Sequence, residues 1–285
     1  MVTQHAPTAI EPVAAMGAVH SSLRDLVSGT AYVARGEILE AARPQWVPAR
    51  VSLSLNLNIG DVPDDFPVAY ATSGRLYSYG VARGPVAVSW IGLRLTPLGA
   101  YRILGRPVSE VSGRIVDLAD LFGRPGAELV ERMRSDVGWA GRFRMLEDFL
   151  LSRAERNPGP APEVAEAWER LAGSGGRVSI GELARETGWS HKHLISKFTQ
   201  QIGVAPKRAA RMVRFEAAAR RLRRDRRAAW EEAMAACGYY DLSHVYRDCR
   251  EFTGTTPGGL LVRTLPCGCL ASAALGVPFP GGPAA

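Results

Sequence analysis

An α+β fold is predicted, with strands gathered in the N-terminal half and helices in the C-terminal third. Three patterns point to it. Val51-Ser-Leu-Ser-Leu-Asn-Leu-Asn-Ile59 alternates apolar and polar residues with period two, as a half-buried strand does, and Gly60-Asp61 ends it. Val86-Ala-Val-Ser-Trp-Ile-Gly-Leu-Arg-Leu95 is a second strand, stopped by Pro97. One helix-turn-helix pattern then occurs twice, about fifty residues apart, from Ile180 to Pro206 and from Trp230 to Pro257.

Residues 1–40 carry no strong period and are expected to be poorly ordered, while residues 41–156 form the β-rich unit with helices at its end. Those helices fall at about 126–135 and 139–155, where Phe143, Leu146, Phe149 and Leu150 make an apolar stripe that serves either a core or a dimer seam. Asn157-Pro-Gly-Pro-Ala-Pro162 reads as a linker. A helix over 163–172 and the loop Gly173-Ser-Gly-Gly176 lead into the helical domain, 163–264, and residues 265–285 are a Gly/Pro/Ala-rich tail.

Each helix-turn-helix copy has the parts that the motif requires physically. Gly188 and Gly238 stand where the chain leaves the first helix, a position that favours positive φ and hence a residue without Cβ. Ser190 and Asp241 follow as N-caps, able to accept a bond from an orphan N–H of the second helix. Leu194 and Phe198 anchor one second helix and Val245 and Phe252 the other, leaving their neighbours to face outward.

Charge separates the helical domain from the rest. Residues 161–265 hold 18 Lys and Arg against 12 Asp and Glu, nearly all of the chain's net +7. Ten cations lie between Lys207 and Arg227, opposed by Glu216 and Asp225, as on a surface that meets phosphates. An Arg-rich solvated helix is the plainer alternative. The only three lysines, Lys192, Lys197 and Lys207, all fall in or beside the first copy. Neither a secretory leader nor a membrane span is visible, so a cytoplasmic, nucleoid-associated protein is expected. Four cysteines make no disulfide framework for a chain of 285 residues. Cys237 and Cys249 read as packing residues, and Cys267-Gly-Cys269 lacks further metal ligands nearby.

The chain resembles the AraC/XylS transcriptional regulators over about residues 165–262. The resemblance rests on Glu182-Leu-Ala-Arg-Glu-Thr-Gly-Trp-Ser, Arg214-Phe, and Ala236-Cys-Gly-Tyr-Tyr-Asp-Leu-Ser-His-Val-Tyr-Arg with Phe252-Thr-Gly-Thr-Thr-Pro257. It implies seven helices in two helix-turn-helix subdomains joined by a long helix at about 206–224, with both second helices reading one face of DNA. Arg94-Leu-Thr-Pro-Leu-Gly-Ala-Tyr101 and Val116-Asp-Leu-Ala-Asp-Leu-Phe-Gly123 are similar to the cupin-like effector domain of some members. Carried over by position, the base-contact residues are Lys192, Ile195 and Ser196 in the first copy, and Ser243, Tyr246 and Arg247 in the second. Arg247 and Lys192 suit guanine O6 and N7, and Ile195 a thymine methyl. Ser190, His191, His193, Thr199, Lys207, Arg208, Asp241 and His244 are candidates for the DNA backbone. The second copy departs from the family where Ala233-Met234 inverts the sizes of Leu183-Ala184, and where Cys249 replaces an aromatic.

The expected function is therefore a sequence-specific transcription regulator, without catalysis, cofactor or metal. Its partners would be double-stranded DNA, a small-molecule effector, RNA polymerase and a second copy of the chain, but no membrane. Trp46, Leu53, Leu55 and Trp90 are candidates for an effector pocket, the alternative being that they are core. The alternatives are a cysteine-based DNA alkyl-transfer regulator using Cys267 or Cys269, and a protein-interaction module with degenerate DNA binding, suggested by Ile195 and Leu242.

Overall fold

The protein is described as a computed structural model covering residues 15–28, 31–39, 45–47, 49–59, 69–72, 77–79, 86–135, 138–224, 234–239 and 241–259. Its strands are β1 (Ala15–Ala18), β2 (Ala31–Leu39), β3 (Gln45–Val47), β4 (Leu53–Asn58), β5 (Ala69–Thr72), β6 (Tyr77–Tyr79), β7 (Val86–Leu95) and β8 (Ile115–Asp117). Six pair antiparallel in the order β1-β2-β7-β4-β5-β8, while β3 and β6 pair with each other. The two strands legible in the sequence are neighbours at the centre, with Leu55 opposite Leu93 and Leu57 opposite Ile91. Period two in β4 becomes a buried face: Leu53, Leu55 and Leu57 are each 1% exposed, and Leu95 of β7 is 0%. Each such side chain contributes about 1.5–3 kcal/mol by leaving water.

Within residues 1–40, the described strands β1 and β2 lie in this sheet. β2 runs beside β7 from Val33 opposite Gly92 to Leu39 opposite Val86. Its order comes from pairing along the long β7, while Gly36 and two charged residues break its own alternation.

Pro97 ends β7 and also opens helix α1 (Pro97–Leu104), where its missing N–H costs nothing. The Thr96 hydroxyl caps α1 by accepting from the Gly99 N–H at 3.0 Å. Helices α2 (Leu118–Phe122), α3 (Arg124–Arg134) and α4 (Gly138–Arg156) complete the N-terminal core. The α4 stripe belongs to that core: Phe143, Leu146 and Leu150 are buried, and Phe149 meets Phe122 edge-on at 5.1 Å. Leu53 and Leu55 are core residues as well, and Trp90 is half-buried. The side chain of Trp46 lies outside the described residues.

Residues 157–161 have no regular structure but are tied at both ends. The Asn157 amide donates to the Arg102 carbonyl at 2.9 Å, and the Ala161 N–H donates to Gln201 Oε1 at 2.8 Å. Helices α5 (Pro162–Gly173), α6 (Ile180–Glu186), α7 (His191–Ile202), α8 (Pro206–Arg224) and α9 (Leu242–Thr253) follow. Their core joins Leu171, Leu183, Leu194, Phe198, Phe215 and Phe252, and it also takes in Ala49 and Val51 from just before β4. Ala218, Met234, Tyr239 and Val245 form a separate small cluster beneath α9. Among the described residues, no helix is long and apolar enough to cross a membrane.

Candidate nucleic-acid interface

The first helix-turn-helix unit is built by local capping. Ser179 Oγ accepts from the Glu182 N–H at 3.1 Å, and the Glu182 carboxylate accepts from the Ser179 N–H at 2.8 Å, a reciprocal box that starts α6. Those bonds to Ser179 hold the Glu182 carboxyl below its ordinary pKa. The chain leaves α6 through Gly188 at φ +69°, and Ser190 Oγ accepts from the His193 N–H at 3.3 Å to start α7. Helix α7 buries Leu194, Phe198 and Ile202. Lys192, Ile195 and Ser196 face solvent in one stripe that ends at the half-buried Thr199, at the i, i+3, i+4, i+7 spacing of a helix face. Ile195 is 42% exposed. His191 and His193 flank the stripe, and His193 packs edge-on against Trp189 at 4.5 Å.

The second unit repeats this construction from Met234, its earlier residues lying outside the described ones. Gly238 turns the chain at φ +77°, and the Asp241 carboxylate accepts from the Ser243 N–H at the start of α9. That bond lowers the Asp241 pKa, and His244 Nδ1 lies 3.9 Å from the same carboxylate. Val245, Cys249 and Phe252 are each 0% exposed, whereas Leu242, Ser243, Tyr246, Arg247 and Arg250 face solvent. Ser243, Tyr246, Arg247 and Arg250 thus repeat the places of Lys192, Ile195, Ser196 and Thr199. Arg250 was missed at the sequence level, although its offset from Thr199 equals that of Ser243 from Lys192. An open groove of about 700 Å³ runs along this face beside Tyr246, Arg247 and Arg250.

The long helix α8 joins the two units, and here part of the cationic cluster turns inward. Asp248, 4% exposed, accepts from Arg211 Nη2 at 2.6 Å, from Arg211 Nε at 3.1 Å, and from the Tyr239 hydroxyl at 2.9 Å. Arg211 also reaches Glu251 at 2.6 Å, and Arg208 meets Glu251 at 3.2 Å. Both guanidinium groups lie over the Phe252 ring, at 5.9 Å for Arg208 and 5.3 Å for Arg211. Burial works against the charge of Arg211, but its bonds to Asp248 and Glu251 raise its pKa nonetheless. Burial beside Asp248 pushes the Tyr239 hydroxyl well above its usual range. Arg208, a backbone candidate by position, is therefore half-buried and engaged within the protein, while Lys207 is exposed. A cleft of about 500 Å³ between α8 and α9 is lined by Lys207, Arg214, His244 and Arg247.

The departures noted in the second unit are accommodated by packing. Met234 is 3% exposed against Tyr239 and Val245. Cys249 lies within 3.5 Å of Thr253 Oγ1, whose hydroxyl donates to the Cys249 carbonyl at 2.6 Å. Burial raises the Cys249 thiol pKa to about 11. At pH 8 only about one thiol in a thousand is then ionised, and the thiolate is the reactive form. Iodoacetamide at pH 8 is accordingly expected to leave Cys249 unmodified in folded protein and to label it fully in urea, as read by peptide mass mapping. Cys267 and Cys269 lie outside the described residues. Among the described residues no three His, Cys, Asp or Glu side chains are grouped to hold a metal ion.

The capped pair α6 and α7, and the capped helix α9 that follows the turn at Gly238, each present one exposed stripe. Residues 183–263 match the family model of the helix-turn-helix domain, and the match is of the AraC type. Residues 183–263 thus carry a helix-turn-helix domain of the AraC type. No curated protein matches it in sequence. Among solved structures it is similar to ToxT from Vibrio cholerae, with 9% identity, a TM-score of 0.47, and coverage of 80% of this chain and 98% of that one. ToxT bound to (E)-4-(8-methylnaphthalen-1-yl)but-3-enoic acid gives 10% identity and a TM-score of 0.47, covering 80% and 98%. The AraC-like transcriptional activator CuxR gives 15% identity and a TM-score of 0.18, covering 64% and 74%.

Proposed function

We propose that the protein is a sequence-specific regulator whose two exposed stripes read successive major-groove segments of one duplex. The observation that carries this reading is their equivalence: Lys192, Ile195, Ser196 and Thr199 on α7 match Ser243, Tyr246, Arg247 and Arg250 on α9, with α8 between them. Nineteen helical residues span about 28 Å, comparable with the ~34 Å between equivalent major-groove positions. In this reading Arg247 and Lys192 contact guanine edges, Ile195 and Tyr246 offer apolar and aromatic contacts, and Ser196 and Ser243 bond to either edge. Ser190, Asp241 and the helix starts lie against the backbone, with Thr199, Lys207 and the histidines 191, 193 and 244 beside them. The sheet and its helices, residues 41–156 in the sequence reading together with β1 and β2, would form a cupin-like effector unit that shifts DNA affinity when a small molecule binds.

Selection from random duplex DNA with the full chain tests the reading. Enrichment of one asymmetric motif in two parts, about one helical turn apart, is expected. Recovery of no motif would overturn it. Arg247→Ala and Lys192→Ala should each lower affinity for the selected site by about 1–3 kcal/mol and relax preference only at their own base pairs, measured by competition binding.

A further inference from the structure

The N-terminal unit touches the end of each recognition helix. At the end of α7, Gly203 takes φ +90° and packs so closely on Val108 that an added Cβ would lie 2.8 Å from its Cγ1. At the end of α9, the Phe252 carbonyl is among the four that a helix leaves without an internal partner. Ala49 supplies one, its N–H donating at 2.7 Å. Arg50 adds an ion pair to Glu216 on α8 at 3.2 Å, with Arg220 beside it on the same carboxylate at 3.8 Å. Val51 is 7% exposed in the helical core, and two residues later the chain enters β4 at the centre of the sheet.

We propose that residues 49–51 and Val108 form a brace that fixes the separation of α7 and α9, with Arg50 as a positioning residue. The N-terminal unit then sets which half-site spacing the chain accepts, and a shift of β4 would be felt at the end of α9. This rests on the reading that both helices contact DNA.

The test uses the full chain and the selected two-part site, with the spacer shortened or lengthened by single base pairs. Each step moves one half-site by roughly 3.4 Å and turns it by roughly 35°. The wild type is expected to prefer one spacing and to lose about tenfold in affinity per step. Arg50→Glu places two carboxylates together and should flatten the profile to about threefold per step, as should Glu216→Arg, which faces Arg50 and Arg220. The double variant restores an ion pair of opposite sense and should return the wild-type profile. The profile is a ratio within one protein, so a reduced active fraction leaves it unchanged. Single variants that keep the wild-type profile overturn the brace alone. Flattened singles with an equally flat double show that the Arg50–Glu216 pair does not set the spacing and also overturn it. A wild type that selects no two-part site removes the underlying reading together with the brace.

Discussion

Phe252→Ala is expected to lower the unfolding free energy by about 3–5 kcal/mol, read as a fall in the urea midpoint. The side chain is 0% exposed and meets Phe215 edge-on at 5.7 Å, with the Arg208 and Arg211 guanidinium groups over its ring. Truncation therefore opens a cavity between α8 and α9, and it also removes the platform on which two cations are held. Phe252→Leu keeps most of the volume and should cost less than about half as much. Equal losses in the two variants would assign the effect to the cation–π contacts instead of the cavity. The second half-site should be lost before the first, because the cluster beneath α9 is small: Ala218, Met234, Tyr239 and Val245.

The second large effect is expected at Asp248. Asp248→Ala leaves the buried Tyr239 hydroxyl without its acceptor and strips Arg211 of one of its two carboxylates. Removing one member of a buried ion pair costs about 3–5 kcal/mol. Glu251 remains as a partner for Arg211, whose side chain is 27% exposed, so about 2–3 kcal/mol is expected here. Tyr239→Phe removes a single hydrogen bond and should cost about 1 kcal/mol. An Asp248→Ala protein with the wild-type urea midpoint, still binding both half-sites, would show that this network does not hold α9 to α8.

Much of this architecture was legible in the sequence because local rules set it. The period of β4, the turn glycines 188 and 238, and the caps Ser190 and Asp241 each follow from backbone geometry over a few residues, and each lies where the pattern puts it. β2 was not legible, since its order comes from β7, about fifty residues away. The inward turn of Arg208 and Arg211 was hidden for a related reason. A cation in a basic run looks alike whether it meets a phosphate or a carboxylate, and only the packing of α9 on α8 brings Asp248 and Glu251 to them. Ala49-Arg50 gave no sign of its place beside the helical core, and Val51, read as the start of the β4 alternation, packs in that core instead.

The inward pairing has a consequence for how tightly ionic strength governs the protein. Ten cations between Lys207 and Arg227 suggest a large release of counterions on binding duplex DNA. Each phosphate neutralised adds about 0.9 to the slope of log affinity against log salt. Arg208 and Arg211 already sit on Glu251 and Asp248, so they bring no condensed ions off the duplex and add nothing to that slope. The protein is thus less of a polycation than its composition advertises, and in the proposed reading base-edge contacts would carry a correspondingly larger share of its hold on DNA as salt rises.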